Sequence, residues 1–266
     1  MSQPADQTEA PLLLREDRDQ ITTLTLNRPE RYNPLSGATL ADLQNTLDDI
    51  AEDDSVRVVI IAATGKAFSA GHDLKEIRSS ADPEFIQALF EQCAGVMQRI
   101  NSLPQPVIAQ VNGIATAAGC QLVAACDLAV ASEDAKFAVS GINYGLFCSA
   151  PAVTLSRNMS RKRAMRMLLT GDFIDAETAI DYGLINEAVP TDALEAATRE
   201  LASKIVAKSA HSIRIGKDMF YQQKEMDLSD ALVYGARRMA CNMDSEDARE
   251  GFDAFLEKRK PTWKHQ

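Results

Sequence analysis

The sequence predicts an α/β protein, and two patterns carry the prediction. Apolar runs rich in β-branched residues alternate with amphipathic segments through about the first 150 residues. From Arg161 onward the pattern turns helical throughout. At 266 residues, with 45% hydrophobic and 25% charged, the chain is long enough for one large soluble core.

Taken in order, Ile21-Thr22-Thr23-Leu24-Thr25-Leu26 alternates like a half-exposed strand and is broken by Asn27-Arg28-Pro29-Glu30. Ser36 is placed to cap a helix running to about Ala51, with Leu40, Leu43, Leu47 and Ile50 on one face. Val56 to Ala63 reads as a strand buried on both sides of a parallel sheet. Pro83 to Leu103 reads as a helix and Pro106 to Val111 as a second buried strand. A helix at Gln121 to Cys126 and short strands at Leu128 to Ala131 and Lys136 to Val139 complete the alternation. Six helices follow: Ala164 to Leu169, Asp175 to Tyr182, Asp192 to Lys208, Ser212 to Lys224, Ser229 to Met243 and Ser245 to Arg259. The expected organisation is a flexible N-terminus over 1–20, an α/β core over 21–200 and a C-terminal helical region over 201–266. A run of helices after such a core needs another surface on which to bury its apolar faces.

Charge and composition exclude several classes. With 28 Lys and Arg against 38 Asp and Glu, the formal charge of −10 argues against a general nucleic-acid or anionic-membrane surface. No apolar run approaches the roughly twenty residues that span a bilayer. Met1 to Gln20 lacks the basic start and apolar centre of a secretion signal and carries acidic residues, so a cytoplasmic location is expected. The five cysteines stand singly, without metal-ligand spacing, which points to no metal and, for most of them, to small core fillers. His211 and His265 read as surface residues.

Two stretches carry the chemistry. Ala67-Phe68-Ser69-Ala70-Gly71-His72-Asp73-Leu74 and Val111-Asn112-Gly113-Ile114-Ala115-Thr116-Ala117-Ala118-Gly119-Cys120-Gln121 each put small residues directly after an apolar run. A tight turn there exposes backbone N–H groups at a helix start. Two such turns side by side would offer paired donors to one oxygen, the arrangement of an oxyanion hole. The plainer reading of Gly71 and Gly119 is that they permit close packing of helix on strand.

These pieces, in order, give the chain from about Ile21 to Lys264 a resemblance to the crotonase superfamily of enoyl-CoA hydratases and isomerases. They are joined by Asn33-Pro34-Leu35, Cys126-Asp127, Leu169-Thr170-Gly171 with Ala176 and Ala179, Gly183-Leu184, and Phe255-Leu256-Glu257-Lys258-Arg259-Lys260-Pro261. The resemblance implies a spiral of ββα units with a C-terminal helical trimerisation region, assembled as a homotrimer or a dimer of trimers. It implies no permanently bound cofactor and an acyl-CoA substrate, with coenzyme A as part of the thioester. The thioester carbonyl would be held by the N–H groups of His72 and Ala118, and Arg31, Asn33, Leu35, Ala70 and Lys75 match CoA-lining segments. Asp73 and Leu74 complete that segment, although Asp73 reads more simply as a helix cap. Lys75 is read equally as a phosphate contact or a solvated surface charge.

The pattern breaks at the acids. Hydratases of the family use two glutamates, and here those positions hold Gln121 and Gly141, which exchange no proton near neutral pH. Family isomerases place an acid at Gly141 or shortly after, where Ile142 to Ser149 contains no carboxylate. Asn143, Cys148 and Ser149 are the polar groups left to reach the thioester, with Cys148 read as an inert buried thiol and Ser149 as the cap of a helix beginning near Ala150. Ordinary hydration is therefore doubtful, and restoring both glutamates would raise it provided a side chain fits at Gly141. Two alternatives stand beside it. Ser69 to Asp73 also resembles the family's methylmalonyl-CoA decarboxylases, whose chemistry needs an oxyanion hole but no strong base. The missing acids also fit a CoA-thioester binding protein without catalysis.

Overall fold

The computed structural model describes residues 10–80 and 82–266. Strands β1 (Leu13–Arg18), β2 (Ile21–Leu26), β3 (Val58–Ala63), β4 (Ala67–Ser69), β5 (Val107–Val111), β6 (Ile114–Thr116), β7 (Leu128–Ser132), β8 (Lys136–Ala138), β9 (Ile174–Asp175) and β10 (Glu187–Val189) form two sheets. The larger has the order β1-β2-β3-β5-β7-β10 and the smaller β4-β6-β8-β9. Pairing is parallel except for β1 with β2 and β8 with β9. The helices are α1 (Gly37–Ala51), α2 (Leu74–Ser79), α3 (Pro83–Ser102), α4 (Ala118–Ala125), α5 (Ser149–Asn158), α6 (Arg161–Thr170), α7 (Ala176–Tyr182), α8 (Leu194–Val206), α9 (Ala210–Gln223), α10 (Leu228–Met243) and α11 (Glu246–Leu256). Strands of the two sheets alternate along the chain from β3 to β8, so each strand of the large sheet passes into one of the small sheet and then into a helix.

Strand β3 shows how the sequence sets the layers. Its side chains alternate faces: Val59 and Ile61 enter the main core with the buried side of α1 and α3, while Val58, Ile60 and Ala62 meet Leu194 and Ala202 of α8. Both faces are covered, which explains why the run is continuously apolar. Helix α1 starts where Ser36 accepts from the Thr39 N–H, and it buries Leu40, Leu43, Leu47 and Ile50, as its spacing predicts.

Three expectations are corrected. Strand β1 lies inside the segment expected to be flexible; five of its six residues are exposed, so its apolar pattern is weak and the ladder to β2 defines it. Residues 1–9 of that segment lie outside the described residues. The boundary expected at residue 200 falls within α8, which packs on β3, β5 and β7 and so belongs to the core. Helix α5 begins at Ser149 with Cys148 at its cap position, and the Ser149 hydroxyl reaches the Phe147 carbonyl at 3.4 Å rather than capping a helix N–H.

The C-terminal helices are tied to the core at two points. Asp127 accepts from the Val107 N–H (2.7 Å), the Lys217 ammonium (2.6 Å) and the Tyr221 hydroxyl (2.8 Å). Burial pushes the Lys217 pKa down, opposed by that carboxylate, and the carbonyls of Ile100 and Gln105 complete its coordination. At the second point Asp247 of α11 accepts from the Ser209 hydroxyl and from the N–H groups of Lys264 and His265. The His265 ring lies between the Arg57 guanidinium, 3.2 Å from Nε2, and the Ala210 N–H, which donates to Nδ1.

Both neighbours of that imidazole are donors, which favours its neutral form. Burial and then the Arg57 charge lower the His265 pKa, against an opposing pull from Asp247. A base whose folded pKa is depressed binds its proton more readily when unfolded, so its contribution is present at higher pH and lost as pH falls through the ordinary histidine value. Thermal melts are expected to show a lower Tm at about pH 5.5 than at about pH 7.5, with a smaller drop in His265→Gln. An equal drop in both proteins would show that the ring does not titrate against its docked position.

Candidate active site

Glycine 71 follows β4 with a φ of +88°, a left-handed conformation that favours glycine. A Cβ built there would stand 2.9 Å from the Ala117 Cβ and 3.1 Å from the Ala118 nitrogen. The two small-residue turns are therefore packed directly against each other, as paired donors require. Gly119 has no room either, since a Cβ there would collide with the Ser69 main chain. The packing reading of these glycines is met by this geometry.

The N–H groups of His72 and Ala118 flank this contact. Ala118 opens α4, where the first N–H groups have no partner within the helix. Among the described residues neither N–H is spent on a turn or loop hydrogen bond, whereas the neighbouring Ala117 N–H donates to the Ala138 carbonyl at 3.0 Å. Ala117 adopts φ 51° and ψ −121°, an unfavourable region for a residue with a Cβ, costing about 1–3 kcal/mol. That conformation turns the chain from β6 directly into α4.

The His72 ring is fixed separately. Its Nδ1 lies 3.1 Å from the Leu35 carbonyl, which can only accept, so Nδ1 carries the proton. The ring meets Phe90 edge-on at 5.1 Å. Burial lowers its pKa, opposed by the Leu35 hydrogen bond and the Glu76 charge. Glu76 itself accepts from the Gly37 N–H at 3.1 Å.

The expected CoA-lining residues separate into two groups. Arg31, Ala70, Leu74 and Lys75 are exposed and form a rim beside the turns. Asp73 caps α2 by accepting from the Lys75 and Glu76 N–H groups at 3.0 and 3.4 Å, with the Arg31 guanidinium 3.9 Å away. Asn33 and Leu35 do not present side chains to a ligand: they are 2% and 0% exposed. The Asn33 amide accepts from the Arg28 N–H and donates to the Thr64 and Ala67 carbonyls. Its job is to hold the loop that supports the first turn.

The acid positions are equally informative. Gln121 is 4% exposed on α4, one turn beyond Ala118, and its buried Oε1 finds no hydrogen-bond partner among the described residues. Gly141 is closed: a Cβ there would lie 2.6 Å from the Leu146 carbonyl oxygen and 2.7 Å from the Cys148 Sγ. The proviso attached to restoring a glutamate at 141 is not met. Cys148 is 7% exposed and its thiol pKa is raised by burial, opposed by a hydrogen bond from the Gly141 main chain. Cys120 is likewise pushed up to about 12 by burial. The Asn143 carboxamide lies beside Gly171, where a Cβ would come 2.9 Å from its Nδ2, and Ser149 is turned to its own loop. Sequence reasoning did not single out Ser69 or the strained Ala117, because a buried hydroxyl and a positive φ at alanine carry no local pattern.

The scaffold and site together define a class: a parallel α/β core that brings two small-residue turns into contact at the ends of two neighbouring strands. The chain belongs to the enoyl-CoA hydratase/isomerase family, whose model matches residues 16–266. It is 44% identical over 259 residues to the mouse (Mus musculus) enoyl-CoA hydratase domain-containing protein 3, mitochondrial, covering 97% of this chain and 86% of that protein. It is 33% identical over 253 residues to the Escherichia coli 2,3-dehydroadipyl-CoA hydratase, covering 95% and 98%. Among solved structures, an enoyl-CoA hydratase of Mycobacterium smegmatis superposes with a TM-score of 0.94 at 54% identity over 96% of this chain and 99% of that one. Human enoyl-CoA hydratase domain-containing protein 3 gives 0.93 at 43% identity over 95% and 100%. The crotonase-type α/β fold is thereby established. The expected cytoplasmic location is overturned, since relatives from mouse, rat and human are named mitochondrial. Physically, a folded core's composition carries no compartment address.

Because Leu146 and Cys148 close the space at residue 141, Gly141→Glu is expected to lower stability by about 1–3 kcal/mol through overpacking. A thermal melt unchanged from wild type would show that this corner opens freely.

Proposed function

We propose that the protein binds an acyl-CoA thioester with its carbonyl oxygen between the His72 and Ala118 N–H groups and stabilises the enolate form of the acyl group. The observation that carries this reading is the direct contact of the Gly71 and Ala117–Ala118 turns, which leaves those two donors unspent on one small patch. Donors fixed before charge develops cost no reorganisation, and each is worth about 3 kcal/mol of transition-state stabilisation. Arg31 and Lys75 on the exposed rim suit the phosphates of coenzyme A. The substrate supplies its own CoA, with no permanently bound cofactor.

Hydration of an enoyl-CoA needs groups that move protons to and from water. Such a group commonly contributes about a hundredfold to ten-thousandfold in rate. With glutamine at 121 and a closed glycine at 141, crotonyl-CoA hydration is expected to be weak, and Gln121→Glu alone is expected to raise it. A stopped assay of crotonyl-CoA and longer enoyl-CoAs checks both statements; brisk hydration by the unmodified protein would show that another acid serves the site.

Decarboxylation is a second reading, favoured by the uncharged, unpartnered Gln121 amide. A neutral carboxamide beside the hole tolerates an anionic acyl carboxylate where a glutamate would repel it. Loss of carbon dioxide then leaves the enolate in the hole without a base. Including methylmalonyl-CoA in the same panel separates this from hydration, and tight binding of every thioester without turnover supports a binding protein instead.

The chain is proposed to assemble as a homotrimer or dimer of trimers. Supporting this, Leu228, Leu232 and Met239 of α10 and Phe255 and Leu256 of α11 are between 67% and 80% exposed. That is a large apolar surface for a monomer. Light scattering is expected to return a mass three or six times that of the chain, and a stable monomer at working concentration would refute the assembly.

A further inference from the structure

We propose that the Ser69 hydroxyl is the positioning residue of the two-amide site, holding the first turn so that the His72 N–H stays aimed beside the Ala118 N–H. The inference rests on the reading that these two groups receive a thioester carbonyl. Ser69 is the last residue of β4 and is fully buried. Its Oγ donates to the Asn33 carbonyl at 2.8 Å and accepts from the Gly71 N–H at 3.2 Å. A hydroxyl has one proton and the carbonyl can only accept, so the direction of both bonds is settled.

Ser69 also touches the second turn. Its main chain lies where any side chain on Gly119 would have to go, and Gly119 is the residue after Ala118 on α4. One buried residue thus grips the first turn through its hydroxyl and seats the second through its backbone. The anchor behind it is firm, since Asn33 is itself held by hydrogen bonds to Arg28, Thr64 and Ala67.

The hydroxyl decides which donors face the ligand. The N–H groups of Gly71 and His72 are consecutive, and Ser69 takes the first of them out of use. Without Oγ the buried Gly71 N–H has no partner. Gly71, with φ +88° and no side chain, offers little resistance to a rotation of its peptide that would find one. That rotation carries the His72 N–H with it. Misplacement of a catalytic group by about 1 Å costs on the order of a hundredfold in rate.

Ser69→Ala removes Oγ and keeps the Cβ, so the contact with Gly119 survives. The test uses butyryl-CoA carrying carbon-13 at the carbonyl and reads the infrared carbonyl stretch of the bound thioester, with Kd from titration. Wild type is expected to shift the stretch to lower frequency on binding. Ser69→Ala is expected to lose more than half of that shift while Kd changes by less than about threefold, and to lower kcat about ten- to a hundredfold with KM little changed on whichever thioester turns over. Ser69→Cys, which keeps a weak donor and acceptor of similar size, is expected to fall between the two and carries the test if the alanine variant does not fold. A full wild-type shift in the Ser69 variants would overturn the positioning role and leave the two-amide reading intact. A wild-type protein that binds the thioester without any shift would overturn both.

Discussion

The site depends on main chain lying directly against main chain. At Gly71 the distance to the second turn leaves no space for a methyl group, and at Gly119 the carbonyl of Ser69 occupies that space. Two strands from the small sheet, β4 and β6, deliver these turns side by side because they are neighbours in a parallel pair. Parallel strands end at the same edge, so the turns that follow them must meet. The contact of the two turns is thus a product of sheet topology, made close by glycine.

Support for this contact comes from groups that touch no ligand. Asn33 and Ser69 form a buried polar cluster in which each donor and acceptor named here has a partner, and it links the loop before α1 to the end of β4. Buried polar groups with all partners in place fix one geometry, whereas an apolar cluster of the same size would permit several. The contrast with Gln121 is direct. Its carboxamide oxygen is buried one helical turn from the hole and has no partner among the described residues, a deficit of about 1–3 kcal/mol that a bound donor would remove.

Farther out, Asp127 and Asp247 fasten the C-terminal helices to that frame by charge-assisted hydrogen bonds rather than by apolar burial. Among the described residues α9 and α10 bury no side chain fully and α11 buries only Ala254 of its apolar residues, while α10 and α11 keep exposed apolar residues.

The sequence by itself determined the α/β class, the long helices and the apolar strands, because each is a local periodicity: 3.6 residues in α1, continuous burial in β3. It also located the two small-residue turns and the glutamine and glycine at 121 and 141, since residue identity is legible without coordinates. Strands β1, β4 and β6 were not legible. They are six residues or fewer, and pairing across the sheet defines them more than any pattern of their own. Only the tertiary structure decided that Asn33 and Leu35 are buried supports rather than ligand contacts, that residue 141 has no room for a side chain, and that Ser69 bridges the two turns. The first and last of those outcomes depend on segments 30 to 50 residues apart in sequence meeting within about 3 Å, while residue 141 is closed by Leu146 and Cys148 of its own loop, and no local pattern of residues encodes either meeting.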